Sequence, residues 1–305
     1  MNEHERIAWL LSRPSDSPHL TLANGDDAAT VNAPSGAVIS VDAQVEGTHF
    51  KRSFADWATL GRRAVVAALS DLAAMGASPR AVFSSLVLPA EFVEDDFHSL
   101  TRGIARGAEE SGVVVAGGNL SGGPCVMIDT TVVGEAPKGV VTRSGAAPGD
   151  GLFVTGVLGA AALGLAALLA EREDTSLRPY IDAWRAPAVD FTFASTLKEH
   201  ASAAIDISDG LLQDLSHLCR ASGVSAELDE LSLAPSDGFR AAAEKLGRDP
   251  RELVLSGGES YFLLFASPQP IDGATRIGRI VESASAPVFN VRGDVLQAPG
   301  FDHFT

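Results

Sequence analysis

Ala64-Val-Val-Ala-Ala-Leu-Ser-Asp-Leu-Ala-Ala-Met-Gly76 reads as a helix that is apolar on nearly every face except at Ser70 and Asp71. A helix that is apolar all round belongs in a core, and a core is a costly place for a carboxylate. An ionised Asp there must be paired, hydrogen-bonded or bound to a metal; otherwise its pKa rises until it is neutral. No Lys or Arg lies one helical turn from Asp71 on either side, but acids at similar junctions recur at Asp26 and Asp27, at Asp42, and at Asp206 and Asp209. Acids facing acids need a cation between them. The alternative is that Asp71 caps a second helix after a break, or points to solvent, since Ser-Asp pairs are common at helix starts.

Outward from this helix, strands and helices alternate. Ala37 to Asp42 reads as a mostly apolar strand that delivers a carboxylate to its end, before the loop Glu46-Gly47-Thr48-His49-Phe50. Ala81 to Leu88 reads as a strand, Val93 to Glu110 as a helix, and Val113 to Ser121 as a buried strand running into the pair Gly117-Gly118. Backbone N–H groups beside such glycines can approach a phosphate closely. Cys125 to Gly134 reads as a further strand, and the Pro/Gly content around Pro148-Gly149 marks a domain boundary. This divides the chain into an N-terminal domain, 1–147, and a C-terminal domain, 148–305.

The second half repeats the style. Leu152 to Thr155 reads as a strand, Ala160 to Glu171 as a helix and Arg172 to Pro187 as a polar loop. Ala204-Ile-Asp-Ile-Ser-Asp-Gly210 is a strand-to-helix junction in which Asp206 and Ser208 share a face of the extended segment. Asp209 is placed to cap the helix that Leu211, Leu212 and Leu215 make amphipathic. Ser256-Gly-Gly-Glu-Ser-Tyr261 is another Gly-Gly-acid turn, followed by an apolar strand over Phe262 to Ala266. Arg276 to Val281 and Val288 to Val291 read as small closing strands. The aromatic end, Gly300-Phe-Asp-His-Phe-Thr305, is expected to pack on the body or cover a ligand.

Composition narrows the function. With 305 residues, 46% of them hydrophobic, the chain can bury a substantial core. The net charge of −16 argues against a nucleic-acid surface or an anionic membrane, and it would repel a phosphate-bearing substrate unless metal ions mediate. The cysteines, Cys125 and Cys219, form no C-x-x-C pair, which fits a reducing cytoplasm. The N-terminal residues read as a short amphipathic helix, not an export signal. The uncharged run Leu152 to Ala170 is long enough to raise a membrane question, but Gly156, Gly159 and Gly164 favour strand, turn and Ala-rich helix. Nearly all candidate ligands are Asp, which suits Mg²⁺ or Mn²⁺. There is no Gly-x-x-x-x-Gly-Lys-Ser/Thr loop, so an ATP enzyme of this kind would neutralise phosphate charge through metals on Asp side chains.

Gly25-Asp-Asp-Ala28, Ser40-Val-Asp42 with Gly47-Thr-His-Phe50, Leu69-Ser-Asp-Leu-Ala-Ala-Met-Gly76, Thr142-Arg-Ser-Gly145, Ala204-Ile-Asp-Ile-Ser-Asp-Gly210, Ser256-Gly-Gly-Glu259 and Phe301-Asp-His-Phe304 run in order over essentially the whole chain. Together they resemble the thiamine-monophosphate kinases of the aminoimidazole-ribonucleotide and selenophosphate synthetase group. The resemblance implies a two-domain α/β (α+β) fold and a homodimer in which strands of the N-terminal α/β domain join the partner's in a barrel. It implies transfer of the γ-phosphoryl group of ATP to thiamine monophosphate, giving thiamine diphosphate. It further implies Mg²⁺ ligands at Asp27, Ser40, Val41 (through its carbonyl), Asp42, Asp71, Asn119, Asp206 and Asp209. ATP contacts fall at Gly118, Asn119, Arg143 and Ser208, and thiamine-phosphate contacts at His49, Glu259 and Phe301.

The chain departs from the family pattern at Val41, at Ala68 (often Asn), at Asn119 (often Asp) and at Ser260 (the second acid of Gly-Gly-Glu-Asp). Asn119 and Ser260 each remove a negative charge, which motivates the alternative of a non-catalytic or altered-substrate relative that binds nucleotide or thiamine phosphate.

Overall fold

The computed structural model describes residues 20–22, 29–31 and 36–297. The expected opening helix, the turn carrying Asp26 and Asp27, and the tail carrying Phe301 lie outside these residues. The described residues divide into two compact units, the first formed by those up to 139 except 74–76 and the second by 74–76 and 140–297.

In the first unit the elements are β1 (Leu20–Leu22), β2 (Ala29–Val31), β3 (Ala37–Val45), α1 (Trp57–Ala74), β4 (Ser78–Leu88), α2 (Glu94–Glu110), β5 (Val115–Gly122) and β6 (Met127–Glu135). They form a six-stranded sheet in the order β1-β2-β3-β6-β4-β5. The stretch that opens the sequence reading is the C-terminal half of α1, which continues through Ser70-Asp71 without a break, so Asp71 caps no second helix. Val65, Leu69, Leu72 and Met75 are fully buried, each contributing about 1.5–3 kcal/mol. A Cβ on Gly103 of α2 would lie 1.9 Å from the carbonyl oxygen of Ala58, so the two helices cross with their backbones in contact.

Two strand expectations change. β3 runs on to Val45, which puts Asp42 inside the strand and not at its end; Ala43 and Gln44 continue the pairing with β6. β5 is not buried. Among the described residues it is an edge strand paired only with β4, its residues are exposed throughout, and Gly117-Gly118 lies within it.

The second unit contains β7 (Gly151–Val154), α3 (Ala160–Leu169), α4 (Arg178–Arg185), α5 (Phe191–His200), β8 (Ala203–Ile207), α6 (Leu211–Ser222), β9 (Ser225–Leu228), α7 (Asp237–Lys245), α8 (Pro250–Ser256), β10 (Phe262–Ser267), β11 (Thr275–Val281) and β12 (Val288–Asn290). Its six strands run in the order β12-β9-β11-β7-β10-β8. The uncharged run from Leu152 resolves into strand, Gly turn and helix, and no helix of the described residues is long and apolar enough to cross a membrane.

The expected loop from Arg172 to Pro187 instead contains α4. Pro179 starts it, and Leu177, Ile181 and Trp184, all buried, mark one face at helical spacing. β11, expected as a small closing strand, lies inside the sheet between β9 and β7. β9, α7 and α8 had no counterpart in the sequence reading.

Candidate active site

In the first unit the polar residues of β3 alternate with apolar ones, and Ser40, Asp42 and Gln44 share one side of the strand. The hydroxyl of Ser40 donates to Oδ2 of Asp71 on α1. This answers part of the question posed by a carboxylate in an apolar helix: a partner comes from 31 residues earlier, across the sheet–helix interface. The neighbouring Ser70 turns its hydroxyl back on the carbonyl oxygen of Ala67 at 2.7 Å.

Asp42 is held differently. The amide of Gln44 reaches its carboxylate at 3.5 and 3.4 Å. Burial pushes the Asp42 carboxyl above the usual range; the Gln44 bond and the charge of Arg63 oppose this, and Asp129 adds to it. In the same cross-strand row, Asp42 lies opposite Thr130, Thr130 opposite Ser84, and Ser84 opposite Gly118. The hydroxyls of Thr130 and Ser84 are buried and have no hydrogen-bond partner among the described residues.

Asn119 falls in the next row, with Asp129 and Ser85, and therefore on the opposite face of the sheet from Asp42. Val41 also faces away from Asp42 and is 58% exposed. Between β3 and α1, His49 closes a tight loop. Its Nδ1 accepts the N–H of Val45 at 2.9 Å, which places the proton of the neutral ring on Nε2.

In the second unit two loops interlock at the ends of β8 and β10. Ser208 accepts the N–H of Glu259 at 2.7 Å and Ile207 accepts that of Tyr261 at 2.8 Å. A Cβ on Gly258 would lie 2.2 Å from the carbonyl oxygen of Ser208, so Gly258 is needed for the approach. Glu259 and Tyr261 both take positive φ, 70° and 54°, a conformation that costs a non-glycine residue about 1–3 kcal/mol. The indole of Trp184, fully buried on α4, donates to Oε2 of Glu259 at 3.1 Å. Between these strained residues Ser260 is buried, and its hydroxyl has no partner among the described residues.

Asp206 is 4% exposed within β8, while Ser208 and Asp209 are half-buried in the turn that follows. Asp209 does not cap α6 as expected. Gly210 is the N-cap residue and makes no side-chain cap bond; the acceptor comes from Asp214, one turn inside the helix. Arg143 sits in a loop whose carbonyl oxygen is held by Ser222 at 2.9 Å and which is tied to β8 through Thr142 and Ala204 at 2.9 Å. Sequence reasoning missed Gln44, Trp184, Gln213 and Asp214 as supports of the candidate ligands. Only Asp214 carried a signal, as an acid in the first turn of a helix.

Among the described residues no group of three or more His, Cys, Asp or Glu side chains is gathered to hold a metal ion. Each unit presents a smaller oxygen set. In the first, Ser40, Asp42 and Asp71 combine hard oxygen donors with a carboxylate that burial destabilises, and the row of Asp42 holds two buried hydroxyls, those of Thr130 and Ser84, with no hydrogen-bond partner among the described residues. These residues fit a hard divalent cation, which would supply the positive charge that Asp42 lacks.

Residues 25–136 match the family model for the AIR synthase related protein N-terminal domain, and residues 147–285 match that for the C-terminal domain. Among curated proteins, the thiamine-monophosphate kinase of Aquifex aeolicus is 35% identical over 289 residues, 92% of each chain. That of Escherichia coli K12 is 34% identical, over 93% of this chain and 92% of its own. A solved structure described as AaThiL complexed with AMPPCP and TMP superposes with a TM-score of 0.90 at 33% identity, covering 99% of this chain and 97% of that one. The thiamine-monophosphate kinase from Aquifex aeolicus superposes at 0.83, with 31% identity and 96% coverage of both chains. The AIR synthase domains in their order and the end-to-end identity with these kinases lead to one conclusion: this chain belongs to the thiamine-monophosphate kinase family of the AIR synthase related proteins.

Proposed function

We propose that this protein transfers the γ-phosphoryl group of ATP directly to the phosphate of thiamine monophosphate, releasing ADP and forming thiamine diphosphate. The observation that carries the reading is the full-length match to the structure described as bound to AMPPCP, an ATP analogue, and TMP, joined to a family whose named members are thiamine-monophosphate kinases.

The reaction forms a bond from an acceptor phosphate oxygen to Pγ and breaks the bond from Pγ to the β–γ bridging oxygen. The attacking oxygen is already anionic, so no strong general base is needed, and the work is alignment and charge stabilisation. When bound, Mg²⁺ supplies the positive charge that two mutually repelling phosphates require. The residues that would hold it in the first unit are Asp27, Ser40, Asp42, Asp71 and the carbonyl of Val41, and Asp206 and Asp209 form a separate oxygen set in the second; Asn119, on the opposite face of the first sheet from Asp42, does not join that carboxylate. Asp42 is supported in this role by its burial, and Asp71 by the hydroxyl of Ser40, which keeps it hydrogen-bonded inside an apolar helix.

Gly118, Asn119, Arg143 and Ser208 bind the nucleotide. Gly118 suits this because β5 is an exposed edge whose backbone is approachable. His49, Glu259 and Phe301 bind the acceptor. Trp184 fixes Glu259, and the N–H of Val45 fixes the ring of His49 through Nδ1.

The test is direct. Purified protein with ATP and thiamine monophosphate is expected to form thiamine diphosphate in a Mg²⁺-dependent manner, read by chromatography, and to lose turnover on chelation. Tight binding of both ligands with no product at any Mg²⁺ concentration would leave a non-catalytic binder.

The same reading includes a homodimer in the cytoplasm. Val41, Thr131 and Phe83 form one row across the side of the first sheet that faces away from Ser40 and Asp42. Val41 is 58% exposed and Phe83 39%, and β5 leaves an exposed strand edge beside them. Two exposed apolar side chains in one row next to an exposed edge strand make a surface that a second sheet covers. Phe83→Lys is expected to shift the protein from dimer to monomer in light scattering; a wild-type protein that is monomeric at micromolar concentration would remove this part of the reading. Cys125 and Cys219 are free, and burial pushes the Cys219 thiol up to about 12, which keeps it unreactive.

A further inference from the structure

We propose that Asp214 and Gln213, consecutive residues in the first turn of α6, are positioning residues that shape the Asp206–Asp209 turn for a divalent cation and its nucleotide. The inference rests on the kinase reading and adds residues to which neither the family pattern nor the ligand set assigns a role.

The first N–H groups of a helix have no partner within it. At α6 the usual remedy is missing: the N-cap position is Gly210, which has no side chain, takes φ 123° and could not carry one. A Cβ there would lie 2.5 Å from the carbonyl oxygen of Ser256. At the N-cap itself an acceptor comes from inside the helix. Oδ2 of Asp214 accepts the N–H of Asp209 at 3.2 Å and that of Gly210 at 3.1 Å. It does so in reverse, like the acid of a capping box that reaches back to the residue before the helix. Asp214 is 3% exposed, and bonds from backbone N–H groups to a carboxylate are charge-assisted and among the stronger ones.

Gln213 deals with the side chain. Its Nε2 donates to Oδ2 of Asp209 at 2.9 Å. A neutral amide fixes the plane of that carboxylate without cancelling its charge, whereas a Lys or Arg in its place would compete with the cation. One residue therefore sets the backbone of the turn and its neighbour sets the orientation of the acid the turn presents. Because Asp214 contributes its own negative charge close to Asp209, the pair also deepens the local potential for a cation. Groups that orient a metal's ligands change affinity by about 10–100-fold when removed.

The experiment is calorimetric titration of AMPPCP into the full chain over a Mg²⁺ series, with melting temperatures alongside. Asp214→Asn is expected to raise the Mg²⁺ concentration for half-maximal nucleotide binding by about 10-fold or more. Gln213→Met, at a half-buried position, is expected to raise it by about 3-fold at an unchanged melting temperature, since outer-shell orientation and not packing is removed. A purely structural role for Asp214 predicts a lower melting temperature with unaltered Mg²⁺ dependence. Should Asp214→Asn fail to fold, Gln213→Met decides. If wild type binds and both variants share its Mg²⁺ dependence, the proposal is overturned alone. If wild type shows no Mg²⁺-dependent nucleotide binding, the kinase reading falls and takes the proposal with it.

Discussion

Replacing Asp71 by Asn is expected to lower turnover by at least about 100-fold, a size typical of removing one preorganised charge from a phosphoryl-transfer site. The substitution keeps shape and hydrogen-bonding capacity. The hydroxyl of Ser40 can still donate to the side-chain oxygen, and the surrounding residues of α1 stay packed, since Leu69, Leu72 and Ala68 are fully buried against their neighbours and do not depend on the charge. What disappears is the carboxylate that accepts the hydroxyl of Ser40, two residues before Asp42 on β3, whose own ionisation burial already opposes. Stability should therefore be unchanged or slightly raised, as is common when a charge kept for function is removed. Turnover as a function of Mg²⁺, with a melting curve as control, checks this. Wild-type rates at limiting Mg²⁺ would make Asp71 a structural residue and end its assignment as a ligand.

The second large effect is expected at Gly258. A methyl group there meets the carbonyl oxygen of Ser208 at 2.2 Å, far inside contact distance, so Gly258→Ala must separate the two loops that carry Ser208, Asp209 and Glu259. The bonds at risk are those from the N–H of Glu259 to Ser208 and of Tyr261 to Ile207. They also hold Glu259 and Tyr261 at positive φ, so the strain loses its restraint once the loops part. Overpacking of this kind costs about 1–3 kcal/mol of stability. A shift of about 1 Å in a positioning loop costs about 100-fold in kcat/KM. Denaturant unfolding and kcat/KM for thiamine monophosphate measure the two effects separately. A Gly258→Ala enzyme with wild-type kcat/KM would show that the loop junction does not position the acceptor.

These expectations differ in how far the chain alone supports them. That Asp71 sits in a buried helix was legible, because thirteen consecutive residues of nearly unbroken apolar character from Ala64 to Gly76 leave few other conformations. That the helix runs unbroken through Ser70 and starts as early as Trp57 was not, since Gly61, Arg62 and Arg63 blur the apolar signal. Arg63 is 1% exposed, a placement that its residue type argues against. The sequence of α4 reads as loop because its polar residues outnumber the ones that matter, Leu177, Ile181 and Trp184. At Gly258 the sequence marks only a flexible pair; the need for glycine comes from the carbonyl oxygen of Ser208, fifty residues earlier in the chain.

Residue chemistry and short-range periodicity determined the strand-and-helix alternation and the aspartates at the junctions, since these depend on side chains a few positions apart, while the family came from a likeness of motifs that runs in order over the chain. Tertiary structure alone decided that Ser40 bonds Asp71, that Trp184 holds Glu259, that β5 is an exposed edge and that β11 lies inside its sheet. Each of these follows from strand order and register, which many weak contacts between distant segments settle jointly, so no local window of the chain contains them.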